Sequence, residues 1–107
     1  MPHKILPAAR ERLIEIWEYT EKEWGDEQAD VYITGLFDRL DKITQTPHLW
    51  KPVEHSDLRG VFFAKYEHHF VFFRKLSDTS LGVITILHES MNLPDRLDDD
   101  VTRNDER

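Results

Sequence analysis

The chain contains no cysteine, so disulfides, thiolate nucleophiles and cysteine-ligated metals are excluded together. No stretch approaches the ~18 consecutive apolar residues of a membrane span. Met1-Pro2-His3-Lys4 leads straight into Ile5-Leu6 and a charged segment without the apolar h-region of a secretory signal. A cytoplasmic chain with no membrane partner is the expectation. Basic residues are in deficit, with 14 Lys and Arg against 21 Asp and Glu and a formal net charge of -7. A field of that sign repels polyanions, and phosphate neutralisation normally supplies most nucleic-acid affinity. Direct DNA binding is therefore not expected, and a protein partner is. Low-complexity linkers and internal repeats are absent too.

What is present suits one small domain. The 107 residues are 39% hydrophobic and 33% charged, enough for one core inside a well-solvated surface. Residues 1–97 are read as that domain. The stretch 98–107 holds five acids, two bases and only Val101 as an apolar residue, and is read as an acidic, disordered tail.

Pro7 suits the first position of a helix, where a missing N–H costs nothing. Ala9, Leu13, Ile16, Trp17, Thr20 and Trp24 then recur at helical spacing, with Arg10, Glu11, Glu15, Glu18, Glu21 and Lys22 mainly opposite. Gly25 reads as a stop and Asp26 as a side-chain cap for the next helix. Ala29, Tyr32, Ile33, Leu36, Phe37, Leu40 and Ile43 carry the same period onward, and Pro47 ends it. Gly35 interrupts that run, either for a close backbone approach or as a tolerated exposed site. So short a connection makes the pair an antiparallel hairpin.

The period then switches to strands. Val61–Tyr66 and Phe70–Phe73 are β-branched and aromatic, and Leu81–His88 alternates, with Leu81, Val83, Thr85 and Leu87 on one face and Gly82, Ile84, Ile86 and His88 on the other. The fold class predicted is α+β: a short N-terminal strand, then the hairpin packed on an antiparallel sheet of three or four strands. Phe70-Val71-Phe72-Phe73 presents apolar groups on both faces. The second face is covered internally, by Trp50 and a helical turn at Leu93–Leu97, or by a partner.

A family resemblance rests on residues along most of the chain. The runs Ala9-Arg10-Glu11-Arg12-Leu13, Ile16-Trp17 and Tyr19 are followed by Trp24-Gly25, Gln28-Ala29 and Tyr32, then Leu36, Pro47 and Leu58-Arg59-Gly60. With the closing Ile86-Leu87-His88-Glu89-Ser90-Met91-Asn92, this order resembles the ParE branch of the RelE/ParE toxin superfamily. The resemblance implies a toxin of a type II toxin–antitoxin pair that inhibits DNA gyrase by protein–protein binding and is silenced by a ParD-like antitoxin. Target contacts are assigned on that basis to Arg59, Arg74, His88, Met91 and Arg96. Antitoxin contacts are assigned to Trp17, Trp24, Tyr32, Phe37 and Phe72.

The alternatives are a non-toxic, antitoxin-binding relative and a RelE-type, ribosome-dependent mRNA endoribonuclease. Attack by a 2′-hydroxyl needs a base, an acid and cations around the phosphorane. Candidates are Arg59, Lys65, Tyr66, His69, Arg74, His88 and Glu89, with Arg59, Tyr66, Arg74 and His88 forming the site. Against it, Ser90 stands where ParE relatives often carry Arg, and the C-terminus is acidic where ribonuclease relatives keep basic and aromatic residues. No metal or other cofactor is expected, since adjacent histidines such as His68 and His69 in a strand would face opposite sides.

Overall fold

A computed structural model describes residues 3–54 and 60–105. Strand β1 is His3–Ile5, helix α1 Pro7–Trp24 and helix α2 Asp26–Gln45. A 3-10 turn at Pro47–Leu49 leads to β2 (Lys51–Pro52), β3 (Val61–Tyr66), β4 (His69–Lys75), β5 (Leu81–His88) and helix α3 (Leu93–Asp105). The sheet order is β1-β5-β4-β3-β2. The α+β class holds, with five strands rather than three or four: β2 adds an edge, and β1 joins β5 in parallel, making the sheet mixed.

The helical hairpin follows the periodic pattern. Ala9 and Ile16 of α1 and Leu36, Leu40 and Ile43 of α2 bury against Val71, Phe73, Leu81, Val83 and Ile86 of the sheet. Gly25 (φ 94°) is itself the N-cap of α2 and Asp26 is the first helical residue, with no side-chain capping bond. The expected Asp26 cap is thus replaced by a glycine whose left-handed backbone makes the turn.

Gly35 serves a close approach. A Cβ there would clash with the Tyr66 hydroxyl, which donates to the Tyr32 carbonyl at 3.2 Å. Gly35→Ala should therefore fail to deliver the ~1 kcal/mol that Ala normally gains over Gly in a helix. Urea melts of Gly35→Ala with and without Tyr66→Phe should show non-additivity, the double variant recovering the gain.

The second face of the sheet is covered by α3. Leu93, Leu97 and Val101, spaced four apart, pack with Phe72, Ile84 and Leu87. This corrects two expectations. Residues 98–105 are helical rather than a disordered tail, and Trp50 lies on the other face, against Phe62 and Phe73 (ring centroids 5.5 and 5.0 Å) with its Nε1–H donating to the Ile43 carbonyl. Polar groups fix α3 across the edge of β5. Asp100 is fully buried and accepts from Arg12 Nε (3.0 Å), Arg12 Nη2 (3.2 Å) and Thr85 Oγ1 (2.6 Å). Asn104 accepts from the Ala8 N–H and donates to the Ile84 carbonyl. Arg103 pairs with Glu11 as well as Asp100. Burial pushes Asp100 upward, but the bonds from Arg12 and Thr85 outweigh it and hold the carboxyl below its ordinary range.

The alternation expected along Leu81–His88 breaks midway. Phe72 pairs with Thr85 but Phe73 with Val83, leaving Ile84 as the extra residue of a bulge. Leu81, Val83 and Ile86 therefore join the core under the hairpin, while Ile84 and Leu87 join the core under α3, and Thr85 reaches Asp100 on the α3 side. A bulge changes the phase of a strand in this way. It also sets His88 on the hairpin side with Ile86.

Candidate functional site

The hairpin tip and the strand ends enclose a cleft of about 790 Å³. Its walls are Arg12, Glu15, Ile16, Tyr19, Thr20 and Trp24 of α1, and Gln28 and Tyr32 of α2. Ile86, His88, Ser90 and Met91 follow from β5 onward, with His68 and His69 from the start of β4. The β3–β4 turn that presents His68 contains Glu67 at φ 53°, a left-handed conformation unusual outside glycine. Three large apolar side chains stay exposed here, Tyr19 at 66%, Trp24 at 72% and Met91 at 36%.

Imidazoles crowd the sheet side of the cleft. His69 pairs with His88 across the strands, their rings 5.1 Å apart, and His68 stacks on His88 at 6.3 Å. The Tyr32 hydroxyl lies 2.6 Å from His69 Nδ1. Burial first, then the neighbouring His88 and His68, lower His69 to about 4, and burial pushes Tyr32 up to about 12. Both are therefore neutral at physiological pH. His88 Nδ1 accepts the Ser90 N–H at 3.1 Å and lies 2.7 Å from Ser90 Oγ, whose O–H must then be the donor. Glu89 takes His68 at 2.6 Å and Lys65 at 3.1 Å, and those two bonds hold it below the usual carboxylate range. Among the described residues no group of three or more His, Asp or Glu is arranged to hold a metal.

The residues assigned from sequence are distributed unevenly. His88 and Met91 line the cleft together with Trp24 and Tyr32, so side chains assigned separately to target and antitoxin share one surface. Arg74 does not join them. It pairs with Gly82 near the start of β5, while His88 pairs with His69, so the two lie five residues apart along β4, about 16 Å at strand rise. Arg96 is exposed on α3 and outside the cleft lining. Arg59 lies outside the described residues. The expected cluster at one sheet end is therefore corrected: antiparallel pairing sends Arg74 to the opposite end. The proposed ribonuclease set is split the same way, keeping Tyr66 and His88 at one end and Arg74 at the other. Phe72 is buried at 5% beneath α3 and offers no free antitoxin contact. Trp17, whose Nε1–H donates to Asp30 at 3.0 Å, and the partly exposed Phe37 lie outside the cleft lining. Arg12, Tyr19, Gln28 and Ser90 were missed as cleft residues. The helical spacing of Arg12, Glu15, Ile16, Tyr19 and Trp24 was the available signal.

The architecture places the chain in a class. It matches a chain of the chromosomal ParDE toxin–antitoxin system of Pseudomonas aeruginosa with a TM-score of 0.68 and 17% identity, over 82% of this chain and 95% of that one. It matches a chain of the toxin–antitoxin complex RelBE2 of Mycobacterium tuberculosis with a TM-score of 0.58 and 15% identity, over 81% and 95%. At these identities the likeness is one of fold, shared with chains from two toxin–antitoxin systems. The sequence narrows it. The model of the family described as the ParE toxin of the type II toxin–antitoxin system parDE matches residues 4–93. The Toxin ParE1 of Caulobacter vibrioides is 34% identical over 92 residues, 85% of this chain and 92% of that protein. The Toxin ParE of Escherichia coli is 34% identical over 85 residues, 78% and 81%. The chain belongs to the ParE toxin family of type II toxin–antitoxin systems.

Proposed function

We propose that this ParE-family toxin acts in the cytoplasm by binding DNA gyrase, without covalent chemistry of its own, and is neutralised by a ParD-like antitoxin. The observation that favours binding over RNA cleavage is the separation of Arg74 from His88. Phosphoryl transfer needs cations converging on one phosphate, and two of the cations near the cleft are already engaged, Arg12 by Asp100 and Glu15 and Lys65 by Glu89. An apolar cleft with exposed Tyr19, Trp24 and Met91 suits side-chain contact with a protein. Because His88 and Met91 share that cleft with Trp24 and Tyr32, an antitoxin seated there would cover target contacts directly.

Induction of the chain without its antitoxin tests this reading. The expected outcome is filamentation with an SOS response, as DNA breaks accumulate. An immediate translation stop with cut mRNA would support the ribonuclease instead, and normal growth a non-toxic relative.

A further inference from the structure

The ring of charge around the cleft narrows the chemistry of what enters it. Between Glu11 and Asp30 the hairpin carries eight acidic residues against Arg12 and Lys22. Arg12 is tied to Asp100 and Glu15, which removes it as an attractor for an anion, and Lys22, exposed one turn beyond Tyr19, offsets only one of the acids. Glu15 lines the mouth, and Glu23, one helical turn beyond Tyr19, shares that side of α1. Glu18, Asp26 and Glu27 stand exposed around the tip. The interior is of opposite character: Ile16, Tyr19, Trp24, Tyr32, Ile86 and Met91 dominate it, and His69 is neutral there. Apolar walls inside an acidic rim complement a ligand whose apolar side chains are flanked by fixed positive charge.

We infer that the cleft receives a Lys/Arg-flanked amphipathic peptide segment of a protein partner. The inference rests on the toxin being held by a protein partner, but not on the identity of its target. It gives the segment a sign that the overall acidity of the chain leaves open, because the attraction is local to the hairpin tip. Apolar side chains enter between Trp24, Tyr32 and Met91, and the basic side chains lie over Glu15 and Glu23. A second copy of this chain is a poor occupant, since its own amphipathic helices, the hairpin and α3, are acidic and like charges would meet.

The test uses the purified full chain and two synthetic amphipathic peptides with one Leu face, flanked by Lys in one and by Glu in the other. Binding is followed by calorimetry. The Lys peptide should bind at least about tenfold tighter than the Glu peptide and weaken steeply with added salt. Trp24→Ala, at an exposed position, should leave folding intact and lower the affinity about tenfold. Glu15→Gln with Glu23→Gln should reduce the salt dependence, whereas Glu21→Gln, on the opposite side of α1, should not. Equal binding of both peptides overturns the inference. So does binding unaffected by Trp24→Ala, which would mean adhesion elsewhere on an acidic protein, and so does no binding by the Lys peptide. Normal growth on induction would leave these results untouched, so loss of the gyrase reading and loss of this one are separately visible.

Discussion

Asp100→Ala should cost about 3–4 kcal/mol and release α3 from the sheet. The carboxylate is buried and holds Arg12, Thr85 and Arg103 at once. Its removal leaves the Arg12 guanidinium, 12% exposed, facing Glu15 alone and strands the Thr85 hydroxyl. Breaking one side of such a pair costs about 3–5 kcal/mol, because the desolvated partner stays behind. For a domain of this size that lowers Tm by roughly 15 °C. Arg12→Ala combined with Asp100→Ala should cost less than the two single changes added together, since the double variant leaves no unpaired charge. Trypsin should cut Asp100→Ala at Arg96 or Arg103 under conditions that spare the parent chain. A variant that resists trypsin and melts within a degree or two of the parent would show that α3 is held without Asp100, by its apolar stripe and Asn104.

Acidification should destabilise the fold through His69. Its folded value of about 4 lies below the ordinary imidazole value of 6.5. The unfolded chain therefore binds more protons between those limits, and stability falls as pH drops through that window. The full difference sets an upper bound of about 3 kcal/mol, reduced by solvent screening because the ring is only partly buried. The contribution is retained above neutrality and lost by about pH 4. The Tyr32 hydrogen bond is not the cause, because a protonated Nδ1 can still donate to the hydroxyl oxygen. Burial and the facing His88 and His68 are the cause, opposed weakly by Glu89. The other groups around His69 are Tyr66, across the strands, and Glu67 in the turn. His69→Gln keeps a polar partner for Tyr32 and removes the titration. Urea melts from pH 7 to pH 4 should show the variant losing about 2 kcal/mol less than the parent. Parallel pH profiles for the two proteins would remove His69 as the source.

Much of the fold was legible because period and turn residues agreed. The apolar spacing from Ala9 to Trp24 and from Ala29 to Ile43, broken by Gly25, specifies an antiparallel hairpin, and the alternation of the later strands specifies a sheet. Helix α3 was illegible for an identifiable reason. Its stretch was judged by its acids, yet Leu93, Leu97 and Val101 form a narrow apolar stripe, and Asp95 sits in the first turn, where the helix dipole favours negative charge. The value of Asp100 and Asn104 depends on Arg12, Thr85 and Ala8, which are distant in sequence. The bulge at Ile84 has no local signal, so the face of each β5 residue beyond it was misassigned.

The cleft was half legible. Trp24, Tyr32, His88 and Met91 were assigned, but as two surfaces, and Arg12, Tyr19, Gln28 and Ser90 were not assigned to it, because sequence gives a residue's face and not the enclosure made where the hairpin overhangs the strand ends. The misplacement of Arg74 was avoidable. In an antiparallel pair the end of one strand meets the start of the next, so Arg74 had to lie beside Gly82 and away from His88.

Purified gyrase, supercoiled DNA and the isolated chain test the central claim most directly. Binding to gyrase should inhibit supercoiling or trap cleaved DNA, and Met91→Ala or His88→Ala should weaken the effect while leaving the melting curve close to the parent's. An unaltered gyrase reaction, together with mRNA cut by the same preparation on ribosomes, would contradict the account.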